Sequence, residues 1–276
     1  MLSDPSVPPL IDATLIEALT ATVARASATI VALGAAAQDV RTKADRSPVT
    51  AADEASEAAI LGDLNRLLPG IPIVSEEAAA TSTYGALPST FILVDPLDGT
   101  REFIAGRSEY TVNVALVRDG QPTTGIVAAP ALGRIWRGVV GGGAEKLVLE
   151  GMKAGAPTPI RPRTVPAAGL IAAVSRSHLD AATEAFLSGL PVVERMMLGS
   201  ALKFCLVAEG KVDLYARLAP TCEWDIAAGH AVLAAAGGLV AARDGAPVAY
   251  GRAHVGFRVP AFLAWGDAEA ARRYRG

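Results

Sequence analysis

The chain has 276 residues, a formal charge of −3, and an apolar fraction of 51% against 19% charged. That is the make-up of a folded protein that buries one large core, or two lobes that share one. No basic block is present to track a phosphate backbone, which argues against nucleic acid as a partner. Two cysteines and three scattered histidines leave no disulfide scaffold and no CxxC or HExxH zinc pattern.

The opening run, Met1 to Asp12, is acidic and proline-rich, unlike a secretory leader. The apolar stretches beyond it are alanine-rich and broken by charge or glycine, so no segment is expected to span a bilayer. The expected address is the cytoplasm, with a peripheral place at the inner membrane as an alternative. A monomer or a homodimer fits equally well.

Residues 10–38 carry Leu15, Ile16, Leu19, Val23, Ala26, Ile30 and Leu33 at steps of three and four, the spacing of an amphipathic helix. Ser47-Pro48-Val49-Thr50 interrupts it. A second helix starts near Ala51, with Thr50 as N-cap and Asp53 as the acidic partner of a capping box. Leu64, Leu67 and Leu68 close its apolar stripe, and Pro69-Gly70 ends it.

The period then changes. Residues 71–74 and 91–94 are short apolar runs bounded by turn signals, and both read as buried strands. Residues 111–150 read as an antiparallel meander, with hairpins at Asp119-Gly120 and Gly141-Gly142-Gly143. Beyond Pro166 strands and helices alternate. Strands fall at 170–174, 192–193, 212–216 and 239–242, and helices at 179–190, 201–209 and 224–236. The pattern predicts an α+β N-terminal lobe, residues 1–155, and an α/β C-terminal lobe, residues 156–276.

Three acidic segments carry the chemistry. In Leu93-Val94-Asp95-Pro96-Leu97-Asp98-Gly99-Thr100, a hydrophobic strand delivers Asp95. Pro96 has no N–H to extend the ladder, so the strand is expected to stop there. Asp98 follows within the turn, and two carboxylates with a turn carbonyl suit a hard, oxygen-seeking cation such as magnesium. Gly99-Thr100 opens a following helix whose N–H groups are a natural seat for phosphate oxygens. The second segment is Val74-Ser75-Glu76-Glu77, where adjacent acids at a buried strand end call for a compensating cation. The third is Glu223-Trp224-Asp225, with Asp225 in the first turn of an alanine-rich helix. Taken singly, each also reads as a turn, a solvated edge or a helix cap, and spacing alone does not bring them together.

In order along the chain, Ser47-Pro48-Val49-Thr50-Ala51-Ala52-Asp53, Ser75-Glu76-Glu77, Val94-Asp95-Pro96-Leu97-Asp98-Gly99-Thr100 and Trp224-Asp225-Ile226-Ala227-Ala228-Gly229 resemble the signature pieces of the inositol monophosphatase superfamily. The resemblance covers nearly the whole chain. It implies a layered αβαβα sandwich, shared with the fructose-1,6-bisphosphatases, and a magnesium-dependent phosphatase. Thr100 to Phe103, Val174 to His178 and Gly199 to Gly210 further resemble the 3'(2'),5'-bisphosphate nucleotidases within it. Where inositol phosphatases place an acid seven residues before the Trp-Asp aspartate, this chain has Leu218, next to Arg217. Arginine favours a second phosphate there. The Leu-Asn-Pro of such nucleotidases is replaced by the region of Val255 to Arg258.

By the same resemblance, Glu76, Asp95 and the Leu97 carbonyl hold one magnesium, and Asp95, Asp98 and Asp225 a second, with Glu76 contributing to a third, weaker one. Thr100, held by Asp53, orients the attacking water, and no covalent phosphoenzyme forms. Gly99 and Thr100 receive the scissile phosphate. Lys203 and Arg217 receive the other phosphate and His178 the nucleoside, with Ser177 and Ser200 also binding the substrate. The rivals are inositol-1-phosphate or fructose-1,6-bisphosphate phosphatase activity, and a catalytically dead phosphonucleotide sensor. A phosphoaspartyl phosphatase needs aspartates two apart, and Asp95 and Asp98 are three apart. The Gly138 to Gly143 stretch lacks the Lys-Ser/Thr of a P-loop.

Overall fold

The computed structural model describes residues 12–34, 40–42, 48–80, 82–177 and 179–274. The first helix, α1 (Ala13–Leu33), is capped by the Asp12 carboxylate, which accepts from Leu15 N at 2.7 Å. It ends on Gly34 with φ +65°. By length and composition alone α1 is long and apolar enough to cross a membrane. Its buried face, including Val23, Ala26 and Ile30, is used in the protein core instead. Its charges are also engaged: Glu17 pairs with Arg137 at 2.7 Å, and Arg25 with Asp63.

After the short pair β1 (Arg41–Thr42) and β2 (Pro48–Val49) comes α2 (Ala51–Leu67). The capping box is formed as expected, with Thr50 N donating to Asp53 Oδ2 at 2.8 Å. Then follow β3 (Ile73–Ser75), α3 (Glu76–Ala79), β4 (Thr90–Asp98) and α4 (Thr100–Ile104). The meander comprises β5 (Thr111–Arg118), β6 (Gln121–Ala129), β7 (Arg134–Val139) and β8 (Gly143–Glu150), trailed by β9 (Lys153–Ala154) and β10 (Thr158–Ile160). The β5–β6 turn has φ +51° at Asp119 and +71° at Gly120, the two left-handed residues of a type I′ hairpin.

The remaining elements are β11 (Leu170–Ser175), α5 (Ala181–Ser188), β12 (Val192–Leu198), α6 (Leu202–Ala208), β13 (Leu214–Arg217), β14 (Thr221–Cys222), α7 (Glu223–Ala236), β15 (Leu239–Ala241), β16 (Arg258–Val259), β17 (Phe262–Trp265) and α8 (Ala268–Arg273). The last strand and last helix have no counterpart in the sequence reading.

Two large sheets form. The first runs β10-β8-β7-β6-β5-β4-β3, with β9 beside β8, and among the described residues only its β3–β4 pair is parallel. The second runs β12-β11-β13-β17-β15. It is parallel through β12, β11 and β13 and antiparallel through β17 and β15, so it is a mixed sheet.

Three apolar clusters mark five layers. One joins α1 and α2 to the outer face of the first sheet. The largest joins the inner face of that sheet to α6, α7 and the second sheet. The third joins the far face of the second sheet to α5 and α8. This is the αβαβα sandwich the resemblance implied. The middle layer is tight. A Cβ on Gly125 of β6 would stand 2.2 Å from the Ala228 carbonyl of α7, and one on Gly229 would stand 2.5 Å from the Phe204 ring. Helix α7 therefore rests backbone-on-backbone against the first sheet.

Candidate active site

The strand carrying Asp95 does not stop at Pro96 as expected. It continues to Asp98, with the ladder slipping between Asp95, opposite Asn113, and Asp98, opposite Thr111. Three steps on β4 face two on β5, which is a bulge. Pro96 sits inside the bulge, where its missing N–H breaks no regular pairing. Its carbonyl accepts from Ser56 Oγ of α2 at 2.7 Å, and Leu97 N donates to Asp95 Oδ1 at 3.1 Å. The bulge re-aims both aspartates toward one side. Gly99 then turns the chain at φ +91°, and a Cβ there would lie 3.2 Å from the Glu109 carbonyl. Only glycine suits that position.

Glu76 reaches the same place from α3, which Ser75 caps at the end of β3. Asp225 reaches it from the first turn of α7, where it accepts from Cys222 N at 3.0 Å and from the Thr221 hydroxyl. One oxygen each of Glu76, Asp95 and Asp225 lies within 4.8 Å of the others. Three carboxylates this close repel unless a cation lies among them. The donor set is all oxygen, which fits magnesium or a similar hard cation. Asp98 is outside this triad, although it lines the same cavity. Its Oδ2 accepts from Ala201 N at 2.7 Å. Burial, and next the Asp225 charge, push the Asp98 carboxyl well above its ordinary range, a further sign of crowded negative charge.

Thr100 stands beside the triad. Its hydroxyl lies 3.0 Å from Asp53 Oδ1 and 3.1 Å from the Leu97 carbonyl. Asp53 is 1% exposed, and its other oxygen takes both the Thr50 N–H and the Thr50 hydroxyl. One carboxylate thus caps α2 and holds Thr100.

The cavity has a volume of about 460 Å³. Glu76, Asp95, Leu97, Asp98, Gly99, Thr100, Ser177, Ser200, Lys203, Arg217 and Asp225 all line it. Asp53 stands behind Thr100, and His178 and Ser47 lie outside the described residues. Leu218 does not line the cavity; it packs against the outer apolar cluster. Lys203 is fully buried over the Tyr215 ring, 5.0 Å from its centroid, and donates to the Ser200 carbonyl at 2.6 Å. Burial pulls its ammonium below the usual lysine range, against the raising effect of Asp98. Arg217 lies 3.4 Å from the Ala219 carbonyl and 3.3 Å from that of Pro220. Ser200 is held at φ +48° with its buried hydroxyl unpartnered.

Other lining residues were given no role in the site from the sequence: Arg101, Glu102, Cys222 and Arg258. Glu102 accepts from Ser177 Oγ at 2.5 Å across 75 residues of chain. Nearby, Arg176 grips Glu109 through two hydrogen bonds of 2.9 and 2.7 Å. Neither contact leaves a local sequence signal, because each joins the first sheet's loops to the end of β11.

A five-layer sandwich with clustered carboxylates and a carboxylate-held hydroxyl in one polar cavity is the arrangement of a metal-dependent phosphatase. Residues 12–271 match the inositol monophosphatase family, and the chain belongs to that family. It is 42% identical over 217 residues to the 3'(2'),5'-bisphosphate nucleotidase CysQ of Escherichia coli K12, spanning 79% of this chain and 85% of that one. It is 36% identical over 224 residues to a histidinol-phosphatase of Mycobacterium tuberculosis, spanning 79% and 82%. The solved CysQ of Bacteroides thetaiotaomicron superimposes with a TM-score of 0.75 at 31% identity, covering 92% of this chain and 98% of that one.

Proposed function

We propose that this protein is a magnesium-dependent phosphomonoesterase. It removes the 3'-phosphate of adenosine 3',5'-bisphosphate, giving AMP and phosphate, or that of the sulfated form. The observation that carries this reading is the Glu76–Asp95–Asp225 triad beside the Thr100–Asp53 pair, in a chain so similar to bisphosphate nucleotidases.

Two or three magnesium ions supply Lewis-acid stabilisation of phosphoryl charge and acidify water in the site. Glu76, Asp95 and the Leu97 carbonyl would hold one ion, and Asp95, Asp98 and Asp225 would hold another. The Thr100 proton is directed at Asp53 Oδ1, which leaves an oxygen lone pair to accept from and orient a water molecule. The Gly99 and Thr100 N–H groups receive phosphoryl oxygens. Lys203 and Arg217 face the phosphate that stays, while Ser177, His178 and Ser200 face the nucleoside. The compartment this reading assigns is the cytoplasm.

A second reading, hydrolysis of another small phosphate ester, is favoured by the histidinol-phosphatase relative. A panel of phosphate-release assays separates the two. It compares adenosine 3',5'-bisphosphate, its sulfated form, inositol 1-phosphate, fructose 1,6-bisphosphate and histidinol phosphate, each with and without magnesium. Highest kcat/KM on either nucleotide, lost with chelator, supports the proposal. Preference for any other ester overturns it, and no turnover of any supports the dead-sensor alternative.

A further inference from the structure

The cavity holds more cationic capacity than the two groups above. Lys203 and Arg217 already give part of their hydrogen-bonding capacity to backbone carbonyls. Arg258 also lines the cavity. Among the described residues its guanidinium makes no hydrogen bond or ion pair; its backbone pairs in the β14–β16 ladder, and its carbonyl also accepts from the Arg252 guanidinium at 3.3 Å.

The backbone beneath Arg258 is firmly supported. Arg258 on β16 pairs with Cys222 on β14, which places it opposite the cap of α7 and beside the acid triad. The preceding loop is strapped by Glu223, a fully buried carboxylate that accepts from Gly251 N at 2.6 Å and Arg252 N at 2.8 Å. Glu223 N in turn donates to the Phe257 carbonyl at 2.9 Å. Phe257 is held at φ +57° and packs between Tyr84 and Trp224. Strain of that kind persists only where the surroundings over-determine it. The loop therefore presents an uncommitted five-donor fork at the cavity wall. A guanidinium of this sort matches a phosphate dianion.

Among the described residues Arg101 is the other uncommitted arginine of the cavity; both side chains are exposed, but Arg101 stands on the five-residue α4 with no comparable brace.

We infer that Arg258 is a specificity-determining residue: it binds the phosphate that is not cleaved, and so selects bisphosphorylated substrates over monophosphorylated ones. The inference rests on the bisphosphate reading proposed above.

The test measures kcat and KM under saturating magnesium for adenosine 3',5'-bisphosphate and adenosine 3'-monophosphate. The enzymes are wild type, Arg258→Ala, Arg258→Lys and Arg101→Ala. Arg258→Ala is expected to raise KM for the bisphosphate about tenfold, with kcat within about twofold and the monophosphate constants unchanged. Arg258→Lys is expected to recover part of the loss. The wild-type bisphosphate KM is expected to rise with potassium chloride more steeply than that of Arg258→Ala. Unfolding of Arg258→Ala in circular dichroism moves the decision to Arg258→Lys and the salt slopes. Equal effects on both substrates, no effect, or a selective loss carried by Arg101→Ala instead overturns the inference. Wild-type turnover of the bisphosphate with no selective loss in Arg258→Ala sinks the inference alone. Wild-type inactivity on the bisphosphate sinks the functional proposal and the inference together.

Discussion

The two walls of the cavity are built differently. The acidic wall comes mainly from the ends of β3 and β4 and the starts of α2 and α4, where short contiguous runs carry the functional groups. Its side chains are held by two local bonds, Asp53 to Thr50 and Leu97 N to Asp95, and its strand end is tied to α2 by Ser56 on the Pro96 carbonyl, 40 residues away. The cationic wall comes from α6 and β13, where Lys203 and Arg217 lie together, and from β16, where Arg258 lines the same cavity on the side of the acid triad. Its anchors are backbone carbonyls and a strapped loop. The contrast suggests a division of labour. On the proposed function the acid wall would perform the chemistry and should govern kcat, and the cationic wall would recognise the substrate and should govern KM.

The largest test of that division is Asp95→Asn. Phosphate release under saturating magnesium should fall about 1,000-fold or more, because both ligand groups lose a shared carboxylate. Near-normal turnover would erase the distinction between the walls. Next, Thr100→Ala should lower kcat about 100-fold while KM stays within about threefold. This variant leaves the Asp53 cap on α2 intact, so its melting temperature should stay close to wild type. A loss confined to KM would move Thr100 to the recognition side.

On the cationic wall, Lys203→Met keeps the buried volume and deletes the charge. It should raise KM about tenfold and change kcat by less than about threefold. A kcat loss as large as that of Thr100→Ala would show that the two walls act as one unit.

The smallest expected effect on turnover belongs to His230, on α7 behind both walls. It is buried against the Tyr250 hydroxyl at 2.8 Å, and burial pulls its pKa down to about 4. Between pH 4 and 6.5 the unfolded chain binds this proton and the native one does not. The stability contribution is therefore present above that window and is lost as the pH falls through it. His230→Asn, which retains a polar partner for Tyr250, should lose less stability than wild type between pH 7 and 4, by up to roughly 3 kcal/mol in denaturant titrations. Its kcat at pH 7 should match wild type.

The same contrast governs what could be read in the sequence. The Thr50–Asp53 capping box, the β3 and β4 runs and the hairpin at Asp119-Gly120 are local signals, and the structure forms each of them. The passage of β4 through Pro96 was missed because proline ends a regular ladder, whereas here a bulge absorbs it. The Ser177–Glu102 and Arg176–Glu109 contacts span 75 and 67 residues, and no periodicity encodes such pairings. The antiparallel half of the second sheet was missed for a related reason. Strand β17 is short and joins β13 and β15 only through tertiary contact. Arg258 lies in the Val255 to Arg258 stretch that stands in place of the Leu-Asn-Pro motif, and its own role is marked only by its place beside Cys222.

The close seating of α7 on the first sheet has a consequence for inheritance and for engineering. Gly125 touches no substrate, yet a single added methyl there would collide with the Ala228 carbonyl and wedge the helix outward. Asp225 rides on the front of that helix, so the wedge would draw it away from Glu76 and Asp95. Catalytic competence is thus hostage to the thinness of a remote seam. Null alleles can arise at a position that a survey of the active site would pass over.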